Sequence, residues 1–325
     1  MNLVTGATGF VGSYIVRALV AKGEKVRALK RASSNTDLLK DIEGKFEWFE
    51  ADILDVVALD ESMKGVDYVY HSAAMISFVK SEVAKMHKIN IEGTANVVNM
   101  ALSNKIKKLV HVSSVSSFGR YEIKEEIDEN KKWKEHEDNT QYAISKYRSE
   151  LEIWRGREEG LKAVIVNPST ILGFGDWKNG SSQIFKNVYD KIKFYPTGIN
   201  GFVGVEDVAL ACIKAMENNI EGERLIVCAE NRTFKDIFFK IAEGFDVPPP
   251  SNPVSPFLAA IGWRFYWLKS KILGQQPLVT KETTTYTARD YRYKNDKIKK
   301  VLNFEFTPID KVIDKACKQY LDLVK

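Results

Sequence analysis

Residues 1–23 read MNLVTGATGFVGSYIVRALVAKG: an apolar run reaches glycines at 6, 9 and 12 and then passes into residues spaced as on one helix face. A strand that ends in a glycine-rich turn and opens a helix has a physical use. Glycine lets the backbone turn tightly and approach a ligand, while the first N–H groups of the helix and its dipole favour a phosphate there. The spacing Gly6-x-x-Gly9-x-x-Gly12 therefore predicts a pyrophosphate cradle, and the strand-turn-helix context carries that reading more than the glycines alone. Thr8, Phe10 and Val11 fall within the same turn.

Outward from this turn the chain repeats its opening. The runs MNLVT, KVRALK, FEWFEA, YVYHSAA, KLVHVSS and KAVIVNP are separated by stretches of helical period up to about residue 170. Continuous apolar runs of this length predict strands buried on both faces, and their alternation with helices predicts an α/β fold with a doubly wound parallel sheet. FVGVEDVALACIKAMENN followed by ERLIVCA adds one more helix and strand. Residues 1–170 with about 204–230 are thus assigned to a dinucleotide-binding domain. About 171–203 with 231–325 form a smaller C-terminal substrate lobe, reached through the proline-rich DVPPPSNPVSP.

Composition narrows the function. The 325 residues are 44% hydrophobic and 28% charged, enough for a large core. Lys and Arg exceed Asp and Glu by 48 to 43, but the charges alternate, as in KEEIDENKKWKEHED, which fits a solvated surface and not a nucleic-acid groove. Cys212, Cys228 and Cys317 form no close pair and predict buried thiols in a reducing compartment. His71, His87, His111 and His136 have no metal-ligand spacing, so no metal is expected. No basic-then-apolar leader precedes Gly6, and the expected location is the cytoplasm. The stretch 254–273 is interrupted by Arg264, Lys269 and Lys271, short of the roughly 18 uninterrupted apolar residues of a spanning helix. A lid helix and a contact with a membrane surface both stay open for it.

In a sheet of this kind ligands bind beyond the carboxyl ends of the strands. The third strand ends at Asp52 and Ile53, where Asp52 is placed to accept from an adenine amino group or to cap the helix LDVVALDESM. The fourth ends in Ser72, Ala73 and Ala74, small enough for a cofactor to pass close by. The second ends in Lys30 and Arg31 with no acid, which favours NADP(H), with NAD(H) as the second choice. QYAISK sets Tyr142 and Lys146 four apart on one helix face. Tyr189 with Lys193 and Tyr293 with Lys297 share that spacing, but only the first pair follows the fifth strand and its serine-rich end VSSVSSFG.

The glycine turn, ADI, HSAA, INIEGT, VSSVSSFG, YAISK and VNPSTILGFGD, in that order, resemble the extended short-chain dehydrogenase/reductase superfamily over essentially the whole chain. VRALKR, VNPST and the ending GQQPLVTKETTTYTARDYRYKNDKIKKVLNF are similar to its dihydroflavonol 4-reductase and 3β-hydroxysteroid dehydrogenase branch. The resemblance implies a Rossmann-type sheet and hydride transfer. It makes Tyr142 the proton donor and acceptor, Lys146 its partner and holder of the nicotinamide ribose, and Ser114 the hydroxyl that orients the substrate oxygen. Asn167, Pro168 and Ser169 would meet the carboxamide, and Asn90 would position the site or bend a buried helix. Met75, Ile76, Phe78, Ser116, Phe118, Phe174 and Trp177, with the aromatics from Trp263 to Trp267, suggest an apolar pocket. The expected activity is reduction of a small ketone or aldehyde, or oxidation of the matching alcohol. The alternatives are a nucleotide-sugar epimerase or dehydratase, or a non-catalytic NAD(P)H sensor. The superfamily's habit of pairing two helices makes a homodimer an open expectation. Gly204 replaces the family's usual aromatic or histidine, and the acids after it, Glu206 and Asp207, read as helix caps.

Overall fold

The computed structural model describes residues 1–119, 126–254 and 287–324. Seven strands make one parallel sheet: β1 (Asn2–Thr5), β2 (Val26–Lys30), β3 (Glu47–Glu50), β4 (Tyr68–His71), β5 (Lys108–Val112), β6 (Ala163–Pro168) and, further along the chain, β10 (Glu223–Val227). Their spatial order is β10-β6-β5-β4-β1-β2-β3. The chain winds from β1 outward to β3 and then restarts at β4 on the other side of β1. The carboxyl ends of β1 and β4 therefore flank the point where the winding reverses, and a crevice opens there.

Side chains alternate across each strand, which explains the unbroken apolar runs. Leu3, Leu109 and Ile165 point to one face, where they meet α2 (Val56–Met63), α4 (Gly93–Ser103) and α5 (Gln141–Glu158). Their neighbours Val4, Val110 and Val164 point to the other, against α1 (Phe10–Ala21) and α7 (Val205–Glu217). A short helix α3 (Val83–His87) precedes α4. The buried Lys108 donates from Nζ to the carbonyls of Ala215 and Asn218, satisfying the C-terminal end of α7.

A second sheet joins β7 (Thr170–Leu172), β9 (Ile199–Gly204) and β11 (Glu230–Thr233), with β9 central, parallel to β7 and antiparallel to β11. Two short strands, β8 (Phe194–Tyr195) and β12 (Asn252–Pro253), pair separately. Over the second sheet lie α6 (Gln183–Tyr189), α8 (Phe234–Phe245) and α10 (Ile309–Val324), around a core of Leu172, Phe185, Phe202, Phe238, Ile241, Ile313 and Tyr320. A further helix, α9 (Asp296–Leu302), buries Ile298 and Leu302 against the first sheet's core.

Several sequence expectations need correction. FVGVEDVALACIKAMENN is not one helix, because Phe202–Gly204 complete β9 and α7 starts at Val205. Glu206 and Asp207 stand in the first turn of α7 without capping it. Asp207 accepts from the N–H and hydroxyl of Thr307 at 2.8 and 2.9 Å, and Glu206 pairs with Lys315. The departure at Gly204 has a packing cause, since a Cβ there would lie 2.9 Å from Val312 Cγ2 on α10.

All three cysteines are buried and unpaired, and burial pushes the Cys212 and Cys317 thiols up to about 12 and Cys228 to about 11. Among the described residues no helix is long and apolar enough to cross a membrane, and no cluster of three His, Cys, Asp or Glu could hold a metal. The expected lid or membrane contact at 254–273, with its aromatics Trp263 to Trp267, falls outside the described residues from 255 onward.

Candidate active site

The opening turn is built by contact between backbones. Gly6 adopts φ +66°, and a Cβ on it would sit 2.6 Å from Ala73 N, at the end of β4. A Cβ on Gly12 would sit 2.1 Å from Gly6 O. Gly9 N donates to Gly6 O at 2.9 Å, and Gly9 begins α1 with no side-chain cap and no acid in the first turn. The positive end of the helix is thus left for an anion, as a pyrophosphate requires. Ser72 seals the approach of the two strands by donating from Oγ to Thr5 O at 2.8 Å. Thr8 and Val11 are half-buried. Phe10 packs against the segment after β7, with its Cδ2 2.8 Å from where a Gly175 Cβ would be.

At the end of β2 the two cations part company. The Lys30 ammonium lies over the Trp48 ring, 5.5 Å from its centre, whereas Arg31 is exposed and its N–H donates to Ser34 Oγ at 3.0 Å. Asp52 does not cap the next helix. Its carboxylate accepts from Leu54 N at 2.9 Å, and the cap of α2 is Asp55, which accepts from Val57 and Ala58 N. Ile53 is buried under α4, where a Cβ on Gly93 would meet its Cδ1 at 2.5 Å.

Thr140 starts α5 by accepting from Ala143 N, which fixes Tyr142 and Lys146 in the first turns. Phe78 stands edge-on to the Tyr142 ring with centroids 6.1 Å apart. Lys146 is 2% exposed and donates from Nζ to Val112 O, at the end of β5, at 2.8 Å. Burial pushes this ammonium down to about 8, and the Glu150 carboxylate opposes the shift. Ser114 follows β5 and opens a 3-10 turn, Val115–Phe118, and its Oγ accepts from Ser116 N and Oγ at 3.2 and 3.0 Å.

Asn90 sits in a π-helical turn, Lys88–Glu92, between α3 and α4. Its Oδ1 accepts from Met75 N at 2.7 Å, and its Nδ2 donates to Met75 O and Ser145 Oγ at 2.9 Å. It thereby ties the segment after β4 to α5 across the crevice. Asn167 is fully buried, donating from Nδ2 to Glu150 Oε1 at 2.6 Å and to Ser114 O at 3.1 Å, and its Oδ1 has no partner among the described residues. Ser169, beyond Pro168, donates from its N–H to Val227 O.

The structure thus gathers the glycine turn, Ser72–Ala74, Ser114, Tyr142, Lys146 and Asn167 at the carboxyl ends of β1, β4, β5 and β6. Of the other residues read from the sequence, Phe118, Phe174 and Trp177 are taken up in packed clusters. Phe118 is fully buried under the Arg224 guanidinium, 3.8 Å from its ring centre. Phe174 and Trp177 pack on Tyr320 in the core of the second sheet, with centroids 4.9 Å away in each case. Ile76 is 56% exposed, Met75 is half-buried and Ser116 is buried. Of the rival tyrosines, Tyr189 packs on Trp177 and Tyr293 is buried beside Phe118.

Sequence reasoning missed a buried polar layer behind this group. His71 and His111 lie 5.0 Å apart, between Thr5, Thr94 and Ser149. Burial, together with the Lys146 charge, pushes His71 down to about 3 and lowers His111 as well, so both imidazoles are neutral. Glu150 and Arg224 complete the layer. The available signal was an acid one helical turn past Lys146.

Residues 2–229 match the NAD dependent epimerase/dehydratase family. The chain belongs to this family. Within the NAD dependent epimerase/dehydratase family it sits on the extended short-chain dehydrogenase/reductase branch. It is 31% identical over 263 residues to the sterol demethylase protein B of Methylococcus capsulatus, covering 79% of this chain and 78% of that protein. It is 27% identical over 332 residues to cinnamoyl-CoA reductase 1 of Petunia hybrida, covering 97% and 90%. The UDP-glucose 4-epimerase of Thermotoga maritima shares the fold at a TM-score of 0.82 and 20% identity, over the full length of both chains.

Proposed function

We propose that this protein is an oxidoreductase that uses NADP(H) to reduce the ketone or aldehyde of a small apolar substrate, or to oxidise the matching alcohol. The observation that carries the reading is the burial of the Lys146 ammonium at the end of β5, one turn from Tyr142 and beside the Ser114 turn. Phe78 edge-on to Tyr142 gives the site an apolar wall, and a cinnamoyl-CoA reductase among the relatives is in keeping with a carbonyl substrate.

The residues present fit a dinucleotide. Gly6, Gly9, Gly12 and the uncapped end of α1 would hold the pyrophosphate, Asp52 the adenine, Lys146 the ribose and Asn167 to Ser169 the carboxamide. With Lys30 engaged over Trp48, Arg31 is the cation left for a 2′-phosphate, which supports NADP(H) over NAD(H). When bound, the nicotinamide supplies or takes up the hydride.

The chain's own residues handle the proton. Ser114 Oγ accepts from Ser116 twice, which leaves its hydroxyl hydrogen to donate to the substrate oxygen. Tyr142 donates its phenolic proton to the same oxygen as negative charge develops there, and an ammonium nearby stabilises the phenolate left behind. In this reading residues 1–170 and about 204–230 hold the cofactor, and about 171–203 with 231–325 make up the substrate-binding lobe.

NADPH oxidation followed against a panel of apolar ketones and aldehydes tests the reading. Wild type is expected to consume NADPH stoichiometrically with product; turnover without net consumption would favour an epimerase. Tyr142→Phe is expected to lose about 10²–10⁴-fold in turnover while still binding NADPH. A variant as active as wild type would refute the assignment.

A further inference from the structure

Glu150 lies on α5 one helical turn beyond Lys146, with its side chain 1% exposed. Its Oε1 accepts from Ser113 Oγ at 2.5 Å, Ser117 Oγ at 2.6 Å and Asn167 Nδ2 at 2.6 Å. Its Oε2 faces Arg224 Nη2 on β10 at 3.2 Å. Ser113 and Ser117 bracket Ser114, so one carboxylate grips both sides of the turn that presents this hydroxyl. Arg224 is itself seated on the Phe118 ring of the same turn and reaches Ser117 Oγ at 3.3 Å.

Three of these partners are neutral donors, and any acceptor oxygen, including that of a glutamine, would satisfy them. A carboxylate stripped of water is costly to keep, and a structural brace alone does not need its charge. Among the described residues the charge acts on Arg224, its ion-pair partner, and on the buried ammonium one turn away. Resting on the reading of Tyr142, Lys146 and Ser114 as the catalytic group, we propose that Glu150, seated by Arg224, is a positioning residue that keeps Lys146 charged and holds the Ser114 turn beside it.

Among the described residues, the titratable groups that interact with Lys146 are Glu150 on α5, His111 on β5 and His71 on β4, and Tyr142 stands one turn before it on α5. Both imidazoles are neutral, so Glu150 is the negative charge that offsets burial of the ammonium. Removing an anion weakens the charged form of Lys146, and removing the Arg224 cation strengthens it as long as Glu150, still held by three neutral donors, keeps its charge. Opposite signs are therefore expected from Glu150→Gln and Arg224→Met, which a merely structural role would not produce.

The direct test is a lysine side-chain ¹⁵N NMR titration of the full cofactor-free chain, with the Lys146 signal assigned by its loss in Lys146→Met. The wild-type midpoint is expected near 8. Glu150→Gln is expected to lower it, and Arg224→Met to raise it, by roughly half a pH unit or more, with Arg224→Lys close to wild type. The alkaline limb of kcat/KM for NADPH consumption is expected to move the same way in each variant. A Lys146 midpoint unmoved in folded Glu150→Gln, or moved in the same direction by both charge removals, would overturn the proposal. Should Glu150→Gln fail to fold, the Arg224 pair decides, and an unmoved midpoint in Arg224→Met counts against it. The titration needs no turnover. An inactive wild type would defeat the proposed reaction, whereas a static Lys146 in an active enzyme would defeat this inference alone.

Discussion

Lys146 is the residue at which folding and function pull apart. A buried ammonium opposes folding, and this one is held by a backbone carbonyl and a nearby carboxylate, without a directly bonded counter-charge among the described residues. Its folded pKa, about 8, lies below the ordinary lysine value of 10.5. Below pH 8 both folded and unfolded chains carry the proton, and the folded state bears the full cost of burying it. Between about 8 and 10.5 the folded amine is neutral while the unfolded one stays charged, so the cost fades as pH rises. Wild type is therefore expected to gain stability relative to Lys146→Met across this window, with no such change below pH 7. Urea unfolding of both proteins at pH 7 and pH 10 measures it, and a stability difference independent of pH would show that the ammonium is not buried as described. The same variant is expected to lose turnover, because it removes the charge that favours the Tyr142 phenolate.

Among the elements, the turn between β1 and α1 leaves the least room for change. A methyl at position 12 would fall 2.1 Å from Gly6 O and 2.7 Å from Gly6 C, both backbone atoms, so the turn itself must shift. Gly12→Ala is expected to abolish detectable NADPH binding by calorimetry while leaving the far-ultraviolet circular dichroism of the sheet in place; retained affinity would mean that the turn is not the cradle. This element was legible in the sequence because strand, glycines and helix are contiguous, and β1, β4, β5 and β6 were legible because burial on both faces writes itself as apolar runs, whereas the edge strand β3, with Glu47 and Glu50 exposed, is not buried on both faces as its run suggested. The second sheet was not. Its strands β7, β9 and β11 are short, come from separated segments and include Glu230–Thr233, a strand of four half-buried, polar residues without apolar alternation. The same physics explains the site. Tyr142, Lys146 and Ser114 could be read because each depends on local spacing after one strand. The Glu150–Arg224–Asn167 contacts could not, since they form only when α5, β10 and β6 pack together. Phe118, Phe174 and Trp177 show the converse: an aromatic reads alike in core and pocket until its partner, here Arg224 or Tyr320, is known.

Across the whole molecule, α1 joins the cofactor turn to the second sheet. Its N-terminus faces the crevice, Phe10 packs on Gly175, and Tyr14 donates to Phe174 O at 2.9 Å. Tyr320 of α10 closes the same junction by donating to Gly173 O and accepting from Gly175 N. A dinucleotide that orders the opening turn therefore braces both sheets, and its binding should be read in the unfolding of the entire chain. A ligand at 100 times its dissociation constant adds about 2.7 kcal/mol. With an unfolding entropy of about 2.1 cal/mol/K per residue, that raises the melting temperature of a chain of this size by about 4 °C. NADP(H) is expected to produce a shift of this order at concentrations where NAD(H) produces little. Arg31 is the exposed cation at the end of β2, and no acid stands there to bind ribose hydroxyls. Arg31→Ala is accordingly expected to shrink the NADPH shift toward that of NADH and to leave the NADH shift unchanged, because only the 2′-phosphate contact is lost. Thermal scans of both proteins with each nucleotide decide the matter. A larger shift with NADH in wild type would overturn the reading of Arg31 and leave the glycine turn, which meets the pyrophosphate common to both nucleotides, as the part of the site that stands.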